Sequence, residues 1–199
     1  MPLPREVDYW NGIAQKCVHP TGLIADNVWK RPEQIKRLLS HDWIDQKVLE
    51  IGTGNGMVAG ALKVIVQGHW KYVGTELSSH FRNAVGAMFQ LDTVSADVSE
   101  LPGEGYTRII AFDSLEHVSP QQREAGYKRI YDVAAKDALL FLHFSYGVSA
   151  HDKAFDHPFG LEDLVRIEKA GFTMMSYERY DCICKNGPIP YAFCVFRKL

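Results

Sequence analysis

From Lys47 onward the chain alternates between short apolar runs and amphipathic stretches, and this alternation limits the possible folds more than any other feature. The apolar runs predict strands, and the intervening stretches repeat apolar residues at helical spacing. Strand and helix in alternation imply an α/β fold, in which a parallel sheet carries helices on both faces. The predicted strands are Lys47–Ile51, Lys71–Thr75, Thr93–Ala96, Arg108–Phe112 and Ala138–Phe144, and the predicted helices are Met57–Val66, Ser78–Gln90, Pro120 to about Ala135, and Leu161–Ala170.

The C-terminal stretch follows a different pattern. Phe172–Cys184 and Tyr191–Arg197 are extended runs separated by turn-forming residues at positions 185–190. Two such runs around a short turn are typical of an antiparallel hairpin. We therefore expect a mostly parallel sheet whose last strand is antiparallel.

Residues before Lys47 do not fit the alternation. Pro32–Trp43 places apolar residues on one stripe and predicts a helix. A chain of 199 residues has the length of one domain. We therefore expect a single domain over residues 1–199, with a helical cap over 1–46 and a core over 47–199.

Composition excludes several classes of function. The chain has 22 Lys and Arg against 24 Asp and Glu, a net charge of −2, so no global basic field attracts nucleic acid or anionic membranes. No run approaches the ~20 apolar residues that span a bilayer, and the N-terminus lacks the apolar run of a signal peptide. We expect a cytoplasmic protein with reduced thiols, in which Cys182, Cys184 and Cys194 pack in the core.

A glycine-rich loop, GTGNG at residues 52–56, follows the first predicted strand and precedes a helix. Glycine lets a ligand approach the backbone closely, and a helix N-terminus favours an anionic group. A dinucleotide site would have a third glycine at the position of Met57. The loop alone leaves open another nucleotide cofactor, or a tight turn with no ligand.

Glu50, one spacer and the Gly-x-Gly-x-Gly pattern together resemble the signature of class I S-adenosylmethionine-dependent methyltransferases. Further matches are Glu76 after the second strand, Asp97-Val98 after the third, and FDSLEHV at residues 112–118. The resemblance covers about residues 47–199. It implies a three-layer Rossmann-like sandwich with a seven-stranded sheet of order 3-2-1-4-5-7-6. It also implies S-adenosyl-L-methionine as cofactor and S-adenosyl-L-homocysteine as product.

The resemblance also implies roles for individual residues. Glu76 would accept hydrogen bonds from both ribose hydroxyls of the cofactor, and Asp97 would bond the adenine amino group. The cofactor-binding residues implied in this way are Glu50, Gly52, Thr53, Gly54, Gly56, Glu76, Leu77, Asp97, Val98, Phe112 and Asp113.

Methyl transfer to a hydroxyl group is assisted by a general base, and histidine titrates near neutral pH. The candidate catalytic residues are His117, after the fourth strand, and His143, within the fifth. Either histidine could instead pack and bond to its surroundings. The candidate acceptor-binding residues are Trp10, Tyr146 and His151. We expect no metal, because the His and Asp residues at positions 151–157 lack zinc-ligand spacing.

We therefore expect an enzyme that transfers a methyl group from S-adenosylmethionine to a small-molecule acceptor, as a monomer or homodimer. A protein methyltransferase, a nucleic-acid methyltransferase and a non-catalytic S-adenosylmethionine-binding module are the alternatives. The nucleic-acid alternative is weak, because the stretch Asp113–Glu116 contains no proline and the chain has no Pro-Cys pair. We expect neither a nucleic-acid nor a membrane partner.

Overall fold

The computed structural model describes residues 4–17, 31–66, 69–146, 157–184 and 187–199, and its strands form one seven-stranded sheet. The strands are β1 (Lys47–Ile51), β2 (Lys71–Thr75), β3 (Thr93–Val94), β4 (Tyr106–Phe112), β5 (Ala134–Ser145), β6 (Phe172–Cys184) and β7 (Gly187–Lys198). Their order is β3-β2-β1-β4-β5-β7-β6. This confirms the α/β fold and the strand order that the resemblance implies.

The strand directions also agree with the sequence. β2 pairs in parallel with β1 and with β3, and β4 pairs in parallel with β5. β7 is antiparallel to both β5 and β6. The hairpin predicted for the C-terminal stretch is therefore confirmed.

Helices connect most of these strands, as expected for a parallel sheet. They are α1 (Pro4–Cys17), α2 (Arg31–Leu38), α3 (Met57–Ile65), α4 (Ser79–Phe89), α5 (Pro120–Val133) and α6 (Leu161–Lys169). Short 3-10 helices at Val98–Glu100 and Leu115–His117 follow β3 and β4. Within the described ranges, no helix is both long and apolar enough to cross a membrane.

The helix predicted over Pro32–Trp43 is wrong at its C-terminal end, because α2 ends at Leu38. Trp43 lies beyond the helix, where it is buried. Its indole Nε1 donates a hydrogen bond to the carbonyl of Leu38 at 2.7 Å. Trp43 is thus a core residue that satisfies a carbonyl left open by the end of the helix.

The chain divides into two compact units, Met1–Asp97 and Val98–Leu199. In the first unit, the last four residues of β1 are buried. Burial of successive residues means that both faces of β1 are covered, which explains why three of these four residues are apolar. The loop that follows therefore starts from a fixed strand. The single domain over residues 1–199 stays a prediction.

In the second unit, β5 is buried over its C-terminal half. Its residues from Leu140 to Ser145 are all buried, and the strand is paired with β4 along one edge and with β7 along the other. Cys194 of β7 is fully buried, and burial raises the pKa of its thiol to about 12. Cys194 is therefore a core residue with a protonated thiol, whereas the side chains of Cys182 and Cys184 lie outside the described part.

Candidate functional site

The loop between β1 and α3 has a backbone that glycine adopts more readily than any other residue. Gly52, Gly54 and Gly56 have φ values of 71°, 53° and 72°, in the left-handed region that strains residues with a Cβ. The Thr53 N–H donates to the carbonyl of Thr75 at 2.9 Å, which ties the loop to β2. A Cβ on Gly54 would meet no described atom beyond its chain neighbours closer than the carbonyl oxygen of Gly52, at 4.0 Å. Against the described residues, the loop thus leaves its backbone uncovered at Gly54, as the close approach of a ligand requires.

Glu76 follows β2 and is hydrogen-bonded to this loop. Its Oε2 accepts from the Gly54 N–H at 2.8 Å, and its Oε1 accepts from the Ser78 N–H at 2.9 Å. Burial raises the pKa of Glu76, while these backbone donors and the charge of Arg82 act in the opposite direction. A carboxylate oxygen has more than one lone pair. Glu76 can therefore accept from a diol while it also holds the glycine loop.

Glu50 is buried at the end of β1 beside a tyrosine that the sequence analysis missed. The hydroxyl of Tyr72 donates to Oε2 of Glu50 at 2.6 Å. A Cβ on Gly74 would lie only 2.7 Å from that hydroxyl oxygen, so glycine at position 74 makes room for the pair. Burial, followed by the negative charge of Glu50, raises the pKa of Tyr72. The pairing of β1 with β2 explains this contact, because Glu50 is the register partner of Gly74 and Tyr72 lies two residues before Gly74 on β2.

The turn after Glu76 is fixed by contacts with α1 and with Arg82. The Arg82 guanidinium donates to the carbonyls of Glu76 and Leu77 at 2.6 and 2.7 Å. The Asn11 side-chain oxygen in α1 accepts from the Ser78 hydroxyl at 2.9 Å and from the Ser79 N–H at 3.1 Å. Part of the predicted N-terminal cap thus lies against the residues that follow Glu76.

The remaining candidates of the first unit are Trp10 and Asp97. Trp10 is half-buried in α1, one residue before Asn11, and its ring packs edge-on against Tyr9 at 5.0 Å. Asp97 is buried at the end of the first unit. In the second unit, Val98 is buried at the start of a 3-10 helix. Their roles stay predictions.

In the second unit, the end of β4 and the following Asp113 contact His143 of β5, which in turn contacts β6. Phe112 is the register partner of His143 on β5. Asp113 has a φ of 51°, and its N–H donates to the His143 carbonyl at 2.8 Å. Its Oδ1 lies 2.7 Å from Nδ1 of His143, and Nε2 of that ring lies 2.6 Å from the hydroxyl oxygen of Tyr180 on β6. The structure thus joins two predicted residues to a tyrosine that the sequence analysis did not single out.

The remaining predicted site residues of this part of the chain are His117, Tyr146 and His151. His117 is half-buried at the end of a 3-10 helix, and its N–H donates to the Ser114 carbonyl at 3.2 Å. Tyr146 is half-buried, and the guanidinium carbon of Arg179 lies 4.1 Å from the centre of its ring. His151 lies outside the described residues. The catalytic and acceptor-binding roles of these residues stay predictions.

Comparison with known proteins gives a match to one family model and similar folds among solved structures. Residues 48–137 match the family model of the methyltransferase domain. Magnesium protoporphyrin IX methyltransferase from Synechocystis PCC 6803, solved with bound S-adenosylmethionine, has a TM-score of 0.73 and 14% identity, covering 100% of this chain and 99% of that chain. An S-adenosylmethionine-dependent methyltransferase from Methanosarcina mazei has a TM-score of 0.70 and 15% identity, covering 82% of this chain and 97% of that chain.

A protein named for a different activity has a similar fold. The [4+2]-cyclase SpnF has a TM-score of 0.66 and 16% identity, covering 83% of this chain and 80% of that chain. Among curated proteins, no sequence matches the chain significantly. Residues 48–137 are thus similar to a methyltransferase domain, and the solved structures show that the chain shares their fold.

Proposed function

We propose that this protein transfers the methyl group of S-adenosylmethionine to a small-molecule acceptor. The observation that carries the proposal is the loop of three glycines with positive φ, whose Gly54 amide is hydrogen-bonded to Glu76. This arrangement offers backbone, open space and a carboxylate within a few residues of one another. It fits a ligand that combines a charged amino-acid part with a ribose.

The residues of the loop would hold the cofactor along bare backbone. Glu76 would take the ribose hydroxyls, because hydrogen bonds to a charged acceptor are stronger than those to a neutral one. Asp97 would bond the adenine amino group, with Leu77 beside it. For Glu50, Val98, Phe112 and Asp113 the assignment rests on their match to the family motifs. The bound cofactor supplies a methyl group already activated by the sulfonium charge, so the protein's main task is to position the acceptor.

Calorimetry with S-adenosylmethionine and S-adenosylhomocysteine tests the cofactor half of this proposal. We expect both compounds to bind, and we expect Glu76→Gln to weaken binding by about 1.5–3 kcal/mol, because it removes the charge that strengthens the ribose bonds. Glu124→Gln, on the exposed face of α5, is the matched control and should bind normally. Failure of both compounds to bind the wild-type protein would overturn the proposed function.

Release of S-adenosylhomocysteine tests the transfer half. The protein is incubated with S-adenosylmethionine and a broad panel of small acceptors, together with peptides and nucleic acids as competing acceptor classes. We expect turnover only with small molecules. Turnover with a peptide or a nucleic acid would support the alternative acceptor classes, and cofactor binding without any turnover would support a non-catalytic binding module. A cytoplasmic location and a monomeric or dimeric state stay predictions.

A further inference from the structure

The last strand of the sheet, β6, has one edge that pairs with no other strand in the described part of the chain. β7 pairs with β6 along the opposite edge, and β6 ends the strand order. The strand runs over 13 residues, whereas strands usually have about 5–6. An unpaired edge presents backbone N–H and C=O groups to which a further strand can be added. β6 is therefore a long template for strand addition.

The N-terminal part of β6 is poorly suited to such pairing. Its register with β7 shifts between Met174 and Ser176, and an irregularity of this kind disrupts the ladder and bends the strand. Natural proteins protect sheet edges in this way. From Ser176 to Cys184 the register with β7 runs without a further shift. This regular segment, which we call the open edge, is therefore the part of β6 that can accept a strand.

The first part of the open edge is uncovered on both faces. Residues 176–179 are all exposed, and successive residues of a strand point to opposite faces. Tyr180 is half-buried, and its hydroxyl oxygen lies 2.6 Å from Nε2 of His143 on β5. Because β7 lies between β6 and β5, the Tyr180 ring extends over the sheet and away from the outer edge. A strand can therefore approach this edge without displacing the tyrosine.

The open edge has two opposite charges near its middle. Arg179 and Asp181 are exposed, and among the described residues neither side chain has an oppositely charged partner. The guanidinium carbon of Arg179 lies 4.1 Å from the centre of the Tyr146 ring, and a contact of this kind is weak at an exposed site. Both charges are therefore available to a partner.

A second copy of this chain is a partner whose charges match. Directly opposed residues of an antiparallel pair lie on the same face of the sheet, so a two-fold axis must pass between two identical residues. Tyr180 is the middle residue of the open edge. An axis at Tyr180 pairs the whole open edge with itself and places Arg179 of each copy opposite Asp181 of the other. Opposite charges at directly opposed positions stabilise a strand pair.

The neighbouring registers are less favourable. An axis at Glu178, Arg179 or Asp181 would place that residue opposite the identical charge of the second copy, which destabilises a strand pair. An axis at Tyr177 would bring the irregularity beside Met174 into the paired region. The length of the regular segment and the positions of its charges thus favour the same register.

We propose that this protein forms a two-fold symmetric homodimer in which the open edges of two β6 strands pair antiparallel, with Arg179 of each copy bound to Asp181 of the other. The Arg179 side chain leaves the Tyr146 ring to form this ion pair. An interface made by one strand of each copy is smaller than that of an obligate dimer, so the dimer dissociates on dilution. The inference does not rest on the proposed function.

Analytical ultracentrifugation of the whole protein, at micromolar to submillimolar concentrations, tests the dimer. We expect a reversible equilibrium between monomer and dimer. Asp181→Arg should raise the Kd of the dimer by at least about tenfold, because Arg179 of each copy would then oppose an arginine. Arg179→Asp combined with Asp181→Arg should return the Kd to within about threefold of the wild-type value, because the exchange restores both ion pairs.

Glu124→Arg is the matched control, since it makes the same change of charge on the exposed face of α5. We expect this variant to dimerise like the wild type. Hydrogen exchange reports on the backbone of the interface. Exchange of amides in the open edge should slow as the protein concentration rises, because their outward N–H groups become hydrogen-bonded in the dimer.

A protein that stays monomeric over the whole concentration range would overturn the proposal. So would a dimer whose Kd is unchanged in Asp181→Arg, or a loss of the dimer that the charge exchange does not restore. Restoration in the double variant supports the proposal and also shows that the substituted strand still folds.

Discussion

At the scale of single residues, the conformation of Gly54 matters as much as the lack of a side chain. Gly54→Ala adds a methyl group at a φ of +53°, in the open space that the cofactor would occupy. We expect a fall in affinity for S-adenosylmethionine of at least about tenfold, in addition to a stability loss of about 1–2 kcal/mol from the left-handed backbone. Calorimetry and urea unfolding measure the two effects separately.

Gly105→Ala is the control for backbone strain. Gly105 has a φ of +72°, and an added Cβ there would also meet no described atom within 4 Å. The two variants should lose similar stability, but Gly105→Ala should bind S-adenosylmethionine like the wild type. Equal affinities in both variants would remove Gly54 from the cofactor site.

The buried thiol of Cys194 gives stability a dependence on alkaline pH. Its pKa is raised by burial from 9.0 to about 12, so between these values the unfolded chain binds fewer protons than the folded chain. The free energy of unfolding therefore falls as pH rises, by up to about 1.4 kcal/mol per pH unit from this group. We expect Cys194→Ala to show a shallower decline between pH 8 and 10.5 in urea unfolding with reductant. If the free energy of unfolding fell equally with pH in the wild type and in Cys194→Ala, the fold would not hold this thiol in its protonated form.

At the scale of elements, Arg123 connects α5 to α6 and to the segment before it. The guanidinium Nη1 lies 3.1 Å from Oδ1 of Asp163 and donates to the carbonyl of Pro158 at 2.8 Å. Both charged side chains are buried. We expect Arg123→Met to destabilise the protein by about 3–5 kcal/mol, because the Asp163 charge would stay buried without its cation. Urea unfolding at neutral pH measures this loss.

The exposed ion pair between Lys128 and Asp132 on the same helix is the control. Its atoms are 2.7 Å apart, which is closer than the buried pair, yet solvent weakens the interaction. Lys128→Met should therefore change stability far less than Arg123→Met does. A comparable loss of stability in both variants would show that burial does not determine the size of that loss.

The elements also show how far the sequence predicts the structure. β1 and β2 have the predicted bounds, because each ends where a motif begins and periodicity is clear. The sequence could not predict the hydrogen bonds that link Asp113, His143 and Tyr180. These contacts depend on the register of β5, β7 and β6 and on a positive φ at Asp113. Neither register nor a left-handed aspartate leaves a periodic trace in sequence.

At the scale of the whole molecule, cofactor binding should stabilise the folded state. At a concentration of 100 times Kd, a ligand that binds only the folded protein contributes about 2.7 kcal/mol. For a chain of this length, that corresponds to an increase in Tm of about 5–10 °C. We expect S-adenosylmethionine and S-adenosylhomocysteine to give this increase in thermal unfolding. An increase with NAD instead would contradict the proposed cofactor.

We expect the hydrogen bond between Asn11 and Ser78 to couple the first helix to cofactor affinity. Ser78 uses its amide for Glu76 and its hydroxyl for Asn11, so one residue serves both the carboxylate and the helix. Any free-energy coupling between the two is reciprocal. A compound that separates α1 from Ser78 would lower the affinity for the cofactor, and the cofactor would lower the affinity for that compound by the same factor. Such a compound would inhibit without competing for the glycine loop.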